Sequence, residues 1–188
     1  MPGTLLVISG PSGAGKTSIC EELLRLIPNS EWSVSCTTRK LRGHEVDGQD
    51  YHFISRQRFD EMARNDEFLE TAEYLNEWYG TPRKPVEAAI AAGRTIILEI
   101  DVQGAAQIAT RMPKSIRIFI LPPTMETLKA RLEGRQTESE ALQARRLQKA
   151  DGEIAFARNS GCYQHFITND TIGNSVASIL SILNAKPA

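Results

Sequence analysis

A chain of 188 residues, 41% apolar and 24% charged, is long enough for one well-cored domain with small insertions and too short for two full domains. Its formal net charge of −1 at pH 7 gives no field for holding nucleic acid or an anionic membrane, so any polyanion must be held by local cations. No apolar run approaches the roughly 20 residues that span a bilayer. Met1-Pro2-Gly3-Thr4 lacks a basic leader, and Cys20, Cys36 and Cys162 have neither disulfide-framework nor zinc spacing. Reduced thiols in a cytoplasmic protein are therefore expected.

In chain order, Leu5–Ser9 predicts a buried strand that runs into Gly10-Pro11-Ser12-Gly13-Ala14-Gly15-Lys16-Thr17 and then a helix over Ser18–Arg25. Pro28-Asn29-Ser30 breaks the pattern, and Trp32–Cys36 reads as a second strand. From Thr37 the texture changes to basic residues, tight turns and aromatics, with β-like Tyr51–Ile54 and a short helix capped by Ser55. Regular alternation resumes with a helix over Pro85–Ala92 stopped by Gly93, a strand over Thr95–Asp101, a helix over Val102–Arg111 and a strand over Ile116–Leu121. Thr124 caps a helix to Leu132, a polar break covers Gly134–Glu138, and a long helix spans about Ser139–Asn159. A strand over Cys162–Ile167 and a closing helix from about Ile172 end the chain. The expectation is an α/β fold: a parallel sheet of about five strands, helices on both faces, a mixed α/β insertion and a helical lid. The core comprises residues 1–36 and 83–188, with the lid at about 133–147 and the insertion at 37–82.

The first stretch carries the chemistry. Gly10–Thr17 matches G-x-x-x-x-G-K-[ST] between a strand and a helix, the context the phosphate-binding loop requires. Its glycines let successive N–H groups converge on one concavity, and the helix adds the positive end of its dipole. Lys16 supplies a cation for the outer phosphates, and the Thr17 hydroxyl is placed to ligate Mg²⁺. Period-two alternation puts Glu99 and Asp101 on one side of a strand end that faces this loop, where they could hold the ion through its waters; the alternative for Asp101 is a cap on the following helix. Arg39 and Arg42, three apart among hydroxyl residues, suit a cradle for a second phosphate or, alternatively, a solvated basic turn.

The chain resembles the guanylate kinases over essentially its whole length. The resemblance rests on Ser35 with Thr37-Thr38-Arg39 and Arg42, Gly48–Phe53, Phe68-Leu69-Glu70, Tyr79-Gly80-Thr81-Pro82, Leu98–Gly104 and Ile120-Leu121-Pro122-Pro123. It implies transfer of the γ-phosphoryl of ATP to GMP with Mg²⁺, with ATP and GMP as partners and no nucleic acid or membrane; it leaves the oligomeric state open. By resemblance, Gly10, Pro11, Ser12, Gly13, Ala14, Gly15, Lys16 and Thr17 hold ATP, with Arg131 and Asn169 near its base. Arg39, Arg42, Tyr51 and Tyr79 bind the GMP phosphate, and Ser35, Glu70 and Thr81 read its base. Asp101 and Glu99 serve the acceptor side, with Thr17 and, through water, Asp101 at the metal. Lys16, Arg39, Arg42, Arg135 and Arg146 are the catalytic cations.

One carboxylate can accept both adjacent donors of guanine, N1–H and the exocyclic amine, and adenine lacks that pair. The chain departs from the usual family pattern at Leu41, Thr71, Asn76-Glu77-Trp78 and Gln136. A non-catalytic phosphopeptide-binding module of the same fold and a phosphate-loop kinase for another small molecule remain the alternatives.

Overall fold

The computed structural model describes residues 3–74, 76–133 and 140–185. Five parallel strands form the main sheet: β1 (Thr4–Ser9), β2 (Ser30–Trp32), β7 (Thr95–Glu99), β8 (Ile116–Leu121) and β9 (His165–Thr168), in the order β2-β7-β1-β8-β9. Both faces are covered, which is why β1 is apolar at consecutive positions instead of alternating. Leu5 and Val7 join Ile96, Leu98 and Phe119 in one core. It is closed by α3 (Arg83–Ala91), α4 (Val102–Arg111) and α6 (Glu140–Asn159). Leu6 and Ile8 point the other way, with Ile97, Ile118 and Ile120, into a second core closed by α1 (Lys16–Leu26) and α7 (Ile172–Asn184).

A second, four-stranded sheet has the order β4-β3-β6-β5, from β3 (Cys36–Thr37), β4 (His52–Phe53), β5 (Phe68–Tyr74) and β6 (Glu77–Pro82). β3 and β4 are parallel, while β3–β6 and β5–β6 are antiparallel. Phe59 and Met62 of α2 (Arg56–Arg64) pack on this sheet with Cys36 and Phe68. Ser55 caps α2 as expected, accepting from Arg58 N–H at 3.1 Å. α5 (Met125–Glu133) starts behind Thr124, whose hydroxyl accepts from Thr127 N–H at 3.1 Å, and packs Leu128 and Leu132 against Leu147 and Ala150 of α6.

Two strand expectations change. Trp32–Cys36 is not one strand, because the chain changes partners there. Ser33 N–H still donates to Ile97 O at 2.9 Å, but Ser35 O already accepts from His52 N–H in the second sheet. The last strand begins at His165, not Cys162. Before it, Arg117 Nε takes Cys162 O at 2.6 Å and the Gln164 side chain takes Arg117 N–H at 2.7 Å, in place of a regular ladder. The strands Phe68–Tyr74 and Glu77–Pro82 give no clear period-two signal, and the pairing slips between Phe68 and Glu70. Among the described residues no helix is long and apolar enough to cross a membrane.

Candidate active site

The phosphate loop follows β1 directly. Pairing of Ile8 with Glu99 in the main sheet brings the end of β7 alongside it, and Ser9 Oγ donates to Ile100 O at 2.8 Å. Gly15 precedes α1 with φ 89°, and a Cβ there would collide with Asn169 Nδ2. That amide donates to Ala14 O at 2.7 Å while its oxygen accepts from Ser175 Oγ at 3.0 Å, so the buried Asn169 buttresses the loop from behind. Arg131 Nη2 donates to Asn169 O at 3.2 Å, on the same side. Lys16 folds over the loop, donating from Nζ to Gly10 O at 2.8 Å and Pro11 O at 3.1 Å, with Glu99 Oε1 at 3.9 Å. Thr17 Oγ1 lies 3.1 and 3.3 Å from the two Glu99 oxygens. This hydroxyl and carboxylate are hard oxygen donors, the set that suits Mg²⁺ with its retained waters.

Asp101 is used differently. Its Oδ1 accepts from Gln103 and Gly104 N–H, both at 3.0 Å, and so caps α4. Glu99, one step back on the strand, is the carboxylate that meets Thr17.

A cleft of about 780 Å³ runs from the loop to the second sheet. Gly10, Ser12, Lys16, Thr17, Glu99 and Asp101 line one end. Ser35, Arg39, Arg42, Tyr51, Glu70 and Tyr79 line the other, and Arg146, Lys149 and Glu153 enter from α6. Most residues singled out from sequence thus meet in one space. Thr81 lies behind Glu70, Arg131 and Asn169 lie behind the loop, and Arg135 falls outside the described residues.

At the second-sheet end Arg39 is buried and forked onto Glu45. Nη1 reaches Oε2 and Nη2 reaches Oε1, each at 2.7 Å. Its guanidinium carbon lies 5.2 Å from the Tyr51 ring centre and 5.5 Å from that of Phe53. This pairing pulls the Glu45 carboxyl down to about 2, chiefly through the Arg39 hydrogen bonds, and raises Arg39. Arg42 is exposed, and its backbone N–H also donates to Glu45 Oε2, at 2.8 Å. The Tyr51 and Tyr79 rings meet edge to face at 5.9 Å. Arg42 and the two phenols stand beside this Arg39–Glu45 pair on the open cleft.

Glu70 is 4% exposed. The slip in pairing after Phe68 sends Leu69 into the core beneath α4 and brings Glu70 opposite Thr81, whose hydroxyl donates to Oε1 at 2.6 Å. Burial pushes the carboxyl up to about 7, Thr81 partly opposes this, and the Asp101 charge adds to it. A buried carboxylate met, among the described residues, by Thr81 alone retains acceptor capacity for a ligand.

Glu45, Lys149 and Glu153 carry no motif and escape a reading of the sequence. Arg146, Lys149 and Glu153 fall three and four apart on α6, a helical-face signal that picks Arg146 over the exposed Arg145. Lys149 pairs with Glu153 at 3.6 Å and lies 4.2 Å from the Tyr74 ring centre, so α6 reaches the β5–β6 hairpin.

A family model described as guanylate kinase matches residues 2–186. The chain belongs to the guanylate kinase family. The guanylate kinase of Carboxydothermus hydrogenoformans is 45% identical to it over 98% of this chain and 89% of that protein. That of Desulfitobacterium hafniense is 46% identical over 98% and 90%. The crystal structure of guanylate kinase from Anaplasma phagocytophilum superposes with a TM-score of 0.78 at 34% identity, covering 98% of this chain and 86% of that one. The parallel five-stranded sheet, the mixed second sheet and the helices around them are the architecture of that structure. The activity of the chain is guanylate kinase activity, a nucleotide-binding transferase reaction.

Proposed function

We propose that the two ends of the cleft are the two halves of one phosphoryl-transfer site. ATP lies on the phosphate loop and GMP against the second sheet, and the products are ADP and GDP. The observation that carries this reading is the single cleft joining Lys16 and Thr17 to the Arg39–Glu45 cluster and the buried Glu70–Thr81 pair.

In this reading the loop amides and Lys16 hold the β- and γ-phosphates, with Arg131 and the buried Asn169 supporting the adenosine end of the loop from behind. An oxygen of the GMP phosphate attacks the γ-phosphorus as the bond to the β–γ bridging oxygen breaks. The negative charge that passes to ADP is met by Lys16, and Arg146 reaches the transferred group, a role the resemblance gives to Arg135 as well. Arg39, Arg42, Tyr51 and Tyr79 bind the acceptor phosphate and fix its approach. Ser35 and Glu70 read guanine, the carboxylate taking both of its adjacent donors while Thr81 holds it from behind. Mg²⁺, held by Thr17 with Glu99 and Asp101 behind its waters, would neutralise phosphate charge when bound. Residues 37–82 form the acceptor-binding unit, residues 133–147 the lid, and residues 1–36 with 83–188 the core. Cys20, Cys36 and Cys162 are free and buried, which suits a reducing, cytoplasmic setting.

The test is to supply Mg-ATP with GMP, AMP, CMP or UMP in turn and quantify the diphosphates by chromatography. GDP formed in preference to the others is the expected outcome. No turnover with any acceptor, or preference for another base, overturns the reading.

A further inference from the structure

Two α4 residues outside the phosphate chemistry close the Glu70 pocket from behind. At Gly104 an added Cβ would come within 2.6 Å of Glu70 Oε2 and 3.1 Å of its Cδ. The carboxylate is therefore held between the Thr81 hydroxyl on Oε1 and the bare Cα of Gly104 beside Oε2. One helical turn on, Gln107 pairs with the backbone of Thr71, the residue after Glu70. Its Oε1 accepts from Thr71 N–H at 3.1 Å and its Nε2 donates to Thr71 O at 2.8 Å. β5 is an edge strand of the second sheet, so these are backbone groups that no neighbouring strand takes. The Gln107 carboxamide occupies them as a strand would. Asp101, Gly104 and Gln107 repeat every three residues along one face of α4, and the Asp101 cap fixes where that face begins.

We propose that Gly104 and Gln107 are positioning residues that set how far the Glu70 carboxylate stands from α4, and through it the preference for guanine over purines lacking the 2-amino group. This rests on the reading of Glu70 as the residue that accepts from the base. Gly104 leaves the space and Gln107 fixes the strand. Together they hold both oxygens where a planar pair of donors can meet them. A slide of even part of an ångström costs discrimination, since hydrogen-bond specificity depends on donors and acceptors meeting in line.

Gly104→Ala separates this role from a merely structural one. The new methyl would meet the carboxylate end of Glu70, which has to shift, with Ile100 Cδ1 next at 3.3 Å. Alanine is otherwise the better helix residue. The variant should therefore melt no lower than the parent while its GMP-to-IMP ratio of kcat/KM falls by about tenfold. The KM for ATP should stay within about twofold of the parent. Gln107→Leu, which removes both contacts to Thr71, should lower the same ratio.

Glu70→Gln is measured alongside. It should lower the ratio by itself, and adding Gly104→Ala to it should lower it no further, because both act on one group. If Glu70→Gln relaxes the preference while folded Gly104→Ala and Gln107→Leu keep the parental ratio, the positioning role is wrong and base reading by Glu70 stands. An unchanged ratio in Glu70→Gln removes the base-reading role and this inference with it. Failure of Gly104→Ala to fold contradicts the packing argument directly.

Discussion

Acidification should weaken GMP binding and strengthen the fold through the same side chain. Burial holds the Glu70 carboxyl at about 7, and guanine needs the ionised form. Between pH 8 and pH 5.5 the ionised fraction of such a group falls by about 30-fold, and GMP affinity through Glu70 should fall in proportion. Near pH 7 GMP binding should release a proton, because the base favours the carboxylate.

The stability effect has the opposite sign. A carboxyl whose pKa rises from 4.5 in the open chain to about 7 when folded makes the folded state bind more protons. Its contribution is fully present below pH 4.5 and is lost as the pH rises through 7, for a total of up to about 3 kcal/mol. Calorimetric titration of GMP across this range, in buffers of different ionisation enthalpy, reads affinity and proton release together. Thermal melts read stability. The GMP phosphate titrates too, with a second pKa near 6 typical of phosphate monoesters, so Glu70→Gln is the control: it should keep the phosphate contribution and lose both Glu70 effects. If the wild type and Glu70→Gln show the same pH profiles, the reasoning fails.

Two further changes probe the other ends of the cleft. Glu45→Gln removes the charge that holds the buried Arg39 by two bonds of 2.7 Å; the KM for GMP should rise about tenfold with a smaller effect on kcat, and steady-state kinetics at saturating ATP would expose an unchanged KM. Thr17→Val removes the exposed hydroxyl beside Glu99; kcat should fall by at least about 100-fold with the melting temperature unaltered, and near-parental turnover would remove Thr17 from the metal role.

Much of this was legible in the chain because local rules decide it. The phosphate loop is contiguous, and the helices behind Ser55, Thr124 and Thr171 begin at capping side chains that accept from N–H groups three residues on. α4 and β8 span the expected residues because a buried strand and an amphipathic helix differ in period. What was not legible depends on chain crossings. The switch between sheets after Trp32 and the register slip before Glu70 come from which partner a strand finds. Residue type alone could not assign Glu99 and Asp101: both are carboxylates at one strand end, and one meets Thr17 while the other caps a helix. The fork from Glu45 to Arg39 and the backing of Glu70 by Gly104 follow from loop and helix packing, with no sequence spacing to announce them.

The claim that one cleft holds both nucleotides is tested most directly by a ligand that fills both ends, adenosine and guanosine joined 5′ to 5′ through a polyphosphate. Titrated by calorimetry into the wild-type protein, it should bind one per chain, more tightly than ATP or GMP alone, and be displaced by each of them. Displacement by ATP but not by GMP would contradict the account.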